Sequence, residues 1–87
     1  MHDVSEIQII PIKAKNGLVG YASFVLDNIL YFSSIGIITR PQGGFRLLFP
    51  TKDFATGVSK IFYPINKEFA YSLESKIADK FREVTGL

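Results

Sequence analysis

The chain has no cysteine, no tryptophan and a single histidine among its 87 residues. The missing cysteines exclude disulfides and thiol chemistry, and they are compatible with a reducing compartment. The one histidine, His2, lies near the start of the sequence, where chains are poorly ordered, so we expect no catalytic role for it. The histidine and carboxylate residues do not have the spacing of metal ligands. We therefore expect no enzyme activity, no catalytic residues, no metal and no cofactor.

A strong charge of one sign and long apolar runs are also absent. The formal net charge is +2, which is too small to identify a nucleic-acid-binding protein by itself. The sequence shows no transmembrane span, and residues 1–6 lack the basic and apolar segments of a signal peptide. We therefore expect a cytoplasmic protein with no membrane partner and no small-molecule substrate, in which any basic surface is local.

Hydrophobic residues make up 47% of the chain, which is sufficient for a core. The length predicts one domain, residues 1–87, and a domain of this size has a thin margin of stability. Alternating patterns predict strands over residues 7–14, 19–26, 29–39, 45–49 and 61–63. Pro11 indicates that the first strand lies at an edge or contains a bulge. Short turns, with Asn16-Gly17 suited to type I′, favour an antiparallel meander.

The last part of the chain predicts a helix over residues 67–84. Asn66 is a good N-cap and Gly86 is a good stop signal. One helical face is apolar and is expected to pack on the sheet; it comprises Phe69, Ala70, Leu73, Ile77, Phe81 and Val84. The other face mixes acidic and basic residues, which is typical of a solvated surface rather than a phosphate-binding one. The predicted fold class is α+β: about five antiparallel strands and one C-terminal helix.

The second and third predicted strands are apolar on both faces. In the third, alternation places Tyr31, Ile35 and Ile37 on one face and Phe32 and Ile38 on the other. One helix covers only one face of a sheet, and soluble monomers rarely expose a large apolar patch. The pattern therefore predicts a homodimer.

Several short motifs, taken in order, resemble the bacterial SpoVG family, the stage V sporulation protein G or septation-regulator family. They are Ala22-Ser23-Phe24-Val25-Leu26-Asp27, Gly43-Gly44, Phe49-Pro50-Thr51-Lys52 and Tyr63-Pro64-Ile65-Asn66. The likeness extends from about residue 4 to residue 81. It implies a homodimer that binds DNA or RNA and regulates gene expression and cell-division septation.

The chain departs from the family pattern at several positions. Phe-Pro-Thr replaces Met-Pro-Ser, and Tyr63 replaces the usual histidine. Asp53 and Ala70 stand where typical members carry basic residues. At least two positive charges are therefore missing, which weakens the expectation of nucleic-acid binding more than that of the fold.

The basic residues outside the helix permit two interpretations. They are Lys13, Lys15, Arg40, Arg46, Lys52 and Lys60. Ordinary solubilising charge is one interpretation. The other is a nucleic-acid-binding ridge formed by Arg40, Arg46, Lys52 and Lys60 around a polar loop over residues 51–59, because loop cations reach phosphates readily. Phe54 in that loop either stacks on a base or packs into the core.

The alternative function is a protein–protein interaction module on the same fold, without nucleic-acid binding.

Overall fold

The computed structural model of the chain describes residues 2–86. Its elements are β1 (Val4–Lys15), β2 (Leu18–Leu26), β3 (Leu30–Thr39), β4 (Phe45–Leu48), β5 (Thr51–Phe54), β6 (Gly57–Lys60) and α1 (Lys67–Thr85). The first four strands form one antiparallel sheet in the order β1-β2-β3-β4, and β5 pairs with β6 in a separate two-stranded sheet. The predicted α+β fold, an antiparallel meander with one C-terminal helix, is confirmed.

Two tight turns connect the first three strands. Asn16 and Gly17 have φ values of 52° and 87°, and Asp27 and Asn28 have values of 52° and 56°. Positive φ at both central residues is the mark of a type I′ turn, whose twist matches that of paired strands. Asn, Asp and Gly tolerate this backbone better than other residues, so the local sequence accounts for both turns. Strand β1 lies at the sheet edge, as Pro11 indicated.

A bulge in β3 changes which side chains face the core. Ser34 has a φ of 62°, and two β3 residues lie opposite one residue of β2 at this point. The extra residue places Phe32 on the same side as Ile35 and Ile37, with its ring centroid 5.2 Å from that of Phe24. The prediction that Phe32 faces away from Ile35 and Ile37 is therefore wrong, because simple alternation fails across a bulge.

Helix α1 begins and ends at the residues that its capping signals predict. The side-chain oxygen of Asn66 accepts a hydrogen bond from the Phe69 N–H at 2.8 Å. Gly86 adopts a φ of 75°, and its N–H donates to the Arg82 carbonyl at 2.8 Å. These bonds satisfy backbone groups that a helix end otherwise leaves unpaired. No helix within residues 2–86 combines the length and apolar character needed to cross a membrane.

The core lies between α1 and one face of the sheet. Its buried members are Ala22, Phe24, Ile35, Ile37, Leu73, Ile77 and Phe81. The predicted apolar helix face therefore supplies most of the helical contribution, and Ala78, which was not predicted, is buried as well. Val84 was assigned to that face but is exposed.

The segment predicted as a polar loop over residues 51–59 is mainly a β-hairpin. Its cross-strand pairs are Thr51–Lys60, Lys52–Ser59, Asp53–Val58 and Phe54–Gly57. Thr, Phe and Val favour extended backbone. Gly57 has a φ of 132°, which residues with side chains rarely adopt, so it suits the start of the returning strand. The loop prediction is therefore wrong.

The strand predicted over residues 61–63 is not formed. Phe62 instead turns toward the core, where its ring centroid lies 4.9 Å from that of Phe32 and 6.0 Å from that of Phe49. Pro64 follows at once and has no N–H to donate to a strand partner. Tertiary packing of one aromatic ring has thus replaced strand pairing.

The face of the sheet opposite α1 carries exposed apolar side chains. Ile10, Tyr21, Gly36 and Leu48 lie opposite one another across all four strands, and we call them the outer row. Three of them have exposed side chains, with Ile10 the most exposed at 66%. The structure thus retains the two-faced apolar pattern that motivated the homodimer prediction.

Candidate nucleic-acid interface

The β5–β6 hairpin projects from the molecule. All residues of both strands are exposed, and the two strands contact chiefly each other. At its base the Ile61 N–H donates to the Pro50 carbonyl at 2.8 Å, and the adjoining Phe62 is fixed against the core. The hairpin is therefore an exposed element whose base is anchored to the rest of the fold. We call this base, formed by Pro50, Ile61 and Phe62, the root of the hairpin.

The pairing register divides the hairpin into two faces. Directly paired residues share a face, and successive residues along a strand alternate. One face, here called the Phe54 face, carries Lys52, Phe54 and Ser59. The other, here called the Lys60 face, carries Thr51, Asp53, Val58 and Lys60. The two hairpin lysines therefore point to opposite sides of the hairpin and do not form one continuous ridge.

On the Phe54 face, a cation lies beside an aromatic ring. The Lys52 ammonium is 5.8 Å from the centroid of the Phe54 ring. Phe54 is 54% exposed, so of the two alternatives left by the sequence it does not pack into the core. A ring and an ammonium group held together in solvent can contact a base and a phosphate of one nucleotide.

On the Lys60 face, a second lysine lies beside a ring, but an acid lies there too. The Lys60 ammonium is 5.1 Å from the centroid of the exposed Tyr63 ring. Asp53 projects from the same face of the hairpin. Its negative charge offsets that of Lys60 for any approaching phosphate.

Arg40 lies in the turn between β3 and β4 and forms an ion pair with Glu74. One of its guanidinium nitrogens is 2.8 Å from a carboxylate oxygen of Glu74 on α1. The Arg40 N–H also donates to the Gly44 carbonyl, and the Gly43 N–H donates to the Arg40 carbonyl, each at 3.0 Å. Arg40 therefore fastens a closed turn to the helix.

Arg46 belongs to the outer face of the sheet. It lies opposite Ile38 and two residues before Leu48 of the outer row, and its side chain is exposed. The four predicted binding residues are thus distributed over three parts of the molecule, and only Lys52 and Lys60 share one element.

Sequence reasoning missed two residues near these cations. Tyr63 was noted only as a replacement for histidine, and nothing in the local pattern predicted its contact with Lys60. Arg82 belongs to the helix face that was expected to be solvated. Its guanidinium carbon lies 5.3 Å from the centroid of the Phe45 ring. Arg82 and Arg40 both line a depression of about 230 Å³.

A larger cleft of about 580 Å³ opens between the sheet and the start of α1. Its walls are largely aromatic and include Phe24, Phe32, Phe49, Phe62 and Phe69. None of its lining residues is a lysine or an arginine, and Glu68 lies among them. The cleft is therefore unsuited to phosphate. Within residues 2–86, no group of three or more histidine and acidic residues is placed to hold a metal ion.

Comparison with known proteins assigns the chain to a family. No match is found among curated proteins. The family model described as SpoVG matches residues 2–83, which is nearly the whole chain and includes the hairpin, its root and most of α1. The chain therefore belongs to the SpoVG family.

Proposed function

We propose that this protein is a non-enzymatic, nucleic-acid-binding regulator that acts on gene expression and septation, as the family resemblance implies. The observation that supports binding best is the exposed hairpin bearing Lys52 and Lys60. Within residues 2–86 neither lysine takes part in an ion pair, whereas Arg40 does. A cation held on a protruding element and not neutralised by a neighbour is well placed to contact phosphate.

We further propose that the protein acts as a homodimer joined through the outer row. Ile10, Tyr21 and Leu48 form a band of exposed apolar surface across the sheet. Burial of this band against a second copy removes apolar area from water, which is favourable. A dimer also carries two hairpins, which doubles a charge that is small in one chain.

The test is a salt titration of binding to DNA and RNA probes, followed by fluorescence anisotropy. Each lost phosphate contact lowers the slope of log affinity against log salt by about 0.7 on single strands and about 0.9 on duplex DNA. The variant Lys52→Ala, Lys60→Ala removes up to four contacts per dimer, so its slope should fall by up to about 3 units on single strands and about 4 units on duplex DNA. Asp53→Arg should act in the opposite direction and tighten binding at low salt.

A matched control removes two exposed lysines elsewhere. Lys13→Ala, Lys76→Ala changes the net charge equally but leaves the hairpin intact, and its slope should stay close to that of the parent. Stability should change by no more than about 0.5 kcal/mol per exposed substitution. An unchanged affinity and slope in the hairpin variant would exclude the hairpin as the binding site.

A protein–protein interaction module is the second candidate. It is favoured by the exposed apolar side chains of Val58, Ile61 and Ile65 around the hairpin and by the acidic residue Asp53. If the parent protein binds no nucleic acid even at low ionic strength, this function replaces the first.

A further inference from the structure

We propose that the Phe54 face of the hairpin binds single-stranded in preference to duplex nucleic acid. A base stacks on the Phe54 ring, and the adjacent phosphate contacts Lys52. This inference rests on the proposed function and specifies the class of nucleic acid that the hairpin recognises.

The first observation is the environment of the Phe54 ring. Other phenylalanine rings of the chain pack against one another, as in the pairs Phe24–Phe32 and Phe49–Phe62. Among the described residues, Phe54 has no such ring partner, and the ammonium of Lys52 lies 5.8 Å from its centroid. An aromatic ring kept in solvent on a projecting strand is a stacking platform, because every base has a π face.

The second observation is the spacing along the strand. Lys52 and Phe54 lie two residues apart on one face, which is about 7 Å along an extended strand. That distance suits one nucleotide of an extended single strand, with the base on the ring and the phosphate on the ammonium group. Ser59, across from Lys52, adds a hydroxyl to the same face.

The third observation is the small charge of the hairpin. Residues 51–60 contain Lys52, Lys60 and one acid, Asp53, and the two lysines point to opposite faces. Duplex binding without base contacts depends on many phosphate contacts, which this hairpin cannot supply. Bases in a duplex are already paired and stacked, so they offer no face to Phe54. Stacking on an unpaired base supplies the affinity that charge does not.

The Lys60 face repeats the combination in a weaker form. Lys60 lies beside the Tyr63 ring, but the carboxylate of Asp53 on that face repels phosphate. The Phe54 face carries no acid and is therefore the stronger site.

The experiment uses Phe54→Trp, because the chain has no other tryptophan to interfere with its fluorescence. An oligothymidylate should quench the emission and bind at least as tightly as it binds the parent. A duplex of equal length, and a strand of the same backbone without bases, should leave the emission unchanged. Equal quenching by the duplex would overturn the inference.

Affinities of variants provide a second, independent readout. Phe54→Leu keeps an apolar side chain but removes the ring, so affinity for oligothymidylate should fall by about 5- to 100-fold, while affinity for the duplex changes little. Phe54→Tyr should retain single-strand affinity. Tyr71→Leu is the matched control, since Tyr71 is an exposed ring on α1, 68% accessible, and binding should not change.

The failures of the two proposals are distinguishable. If the parent binds duplex as tightly as the single strand, or if Phe54→Leu binds oligothymidylate as tightly as the parent, the inference is wrong and the proposed function stands. If the parent binds neither probe at low salt, both are wrong.

Discussion

Single charged residues of this protein differ in what lies beside them. Lys52 shares its face with a ring, whereas Lys60 shares its face with Asp53 as well as lying beside a ring. Arg40 is paired with Glu74. A count of cations in the sequence therefore overstates the positive charge available to a phosphate.

Asp27 is the residue whose ionisation is most clearly tied to the fold. Its carboxylate accepts a hydrogen bond from the Asp3 N–H at 2.7 Å and lies 2.9 Å from the ring nitrogen Nδ1 of His2. The bond from the Asp3 N–H, followed by the His2 contact, holds the pKa of Asp27 below its ordinary value of 3.8. These contacts join the start of β1 to the turn after β2.

We predict that Asp27→Asn makes stability less dependent on acid pH. Because the pKa of Asp27 is lower in the folded state, the ionised carboxylate stabilises the fold above about pH 4, and this contribution is lost as the pH falls through the lowered pKa. Asparagine keeps the turn, since it tolerates positive φ. The Tm of the variant should be below that of the parent at neutral pH, and the difference should shrink in acid.

Thermal unfolding followed by circular dichroism, at pH values from neutral to acid, measures the Tm difference between Asp27→Asn and the parent. Asp53→Asn removes a carboxylate from the exposed hairpin and serves as the control for a change in net charge. A Tm difference for Asp27→Asn that stays constant from neutral to acid pH would contradict the assignment.

At the scale of elements, the approach of α1 to the sheet depends on Gly20 in β2. A Cβ at this position would lie 3.0 Å from the Ile10 carbonyl oxygen and 3.3 Å from a ring carbon of Phe81. The backbone there is fixed by strand pairing, and Phe81 is buried. Glycine therefore leaves room both for the β1 backbone and for the Phe81 ring of α1.

We predict that Gly20→Ala destabilises the fold by about 1–3 kcal/mol, the usual cost of overpacking a core. Gly36→Ala is the matched comparison on the outer face, where an added Cβ would lie 3.1 Å from the flexible end of Leu18, 3.3 Å from the Leu48 Cβ and 3.6 Å from the Leu48 carbonyl oxygen. Gly36→Ala should cost less stability, because the closest atom can move and the nearest backbone oxygen is farther away than at Gly20. Urea unfolding measures the stability of both variants, and an equal loss in the two would show that the close packing around Gly20 is not the cause.

The β5–β6 hairpin differs from the four-stranded sheet and α1 because it packs little against the rest of the molecule. An isolated two-stranded hairpin is only marginally stable in water. Here the strands have little support beyond the anchored Phe62 and the bond between Ile61 and Pro50. The element thus combines an ordered root with a tip whose side chains remain free for a partner.

At the scale of the whole molecule, the two faces of the sheet differ. One face is covered by α1, and the other presents the outer row. Phe32 does not belong to the outer face, because its ring packs on the covered side. A charge on the outer face is tolerated within one chain but not in an apolar contact between two copies.

We predict that the parent is a dimer at micromolar concentration and that Ile10→Glu is a folded monomer. Light scattering gives the mass and circular dichroism confirms the fold. Gln42→Glu adds the same charge in an exposed turn and should remain dimeric. In the monomer the salt slope of nucleic-acid binding should fall by about half, because one hairpin remains. A monomeric mass for the parent would contradict the dimer.

Features that depend on neighbouring residues can be predicted from the amino-acid sequence alone. The turns at Asn16-Gly17 and Asp27-Asn28, the helix ends at Asn66 and Gly86, the four main strands and the family all follow from it. Turn chemistry and capping act within a few residues, so short patterns suffice to predict them.

Features that depend on distant residues follow from tertiary contacts and strand register. The bulge at Ser34 put Phe32 in the core, and the packing of Phe62 removed a predicted strand. Arg40 is paired with Glu74, which lies 34 positions away in the sequence. The opposite directions of Lys52 and Lys60 followed from strand pairing, which a loop interpretation does not contain. In each case a contact between residues far apart in the chain, or the register of a pair of strands, outweighed the local pattern.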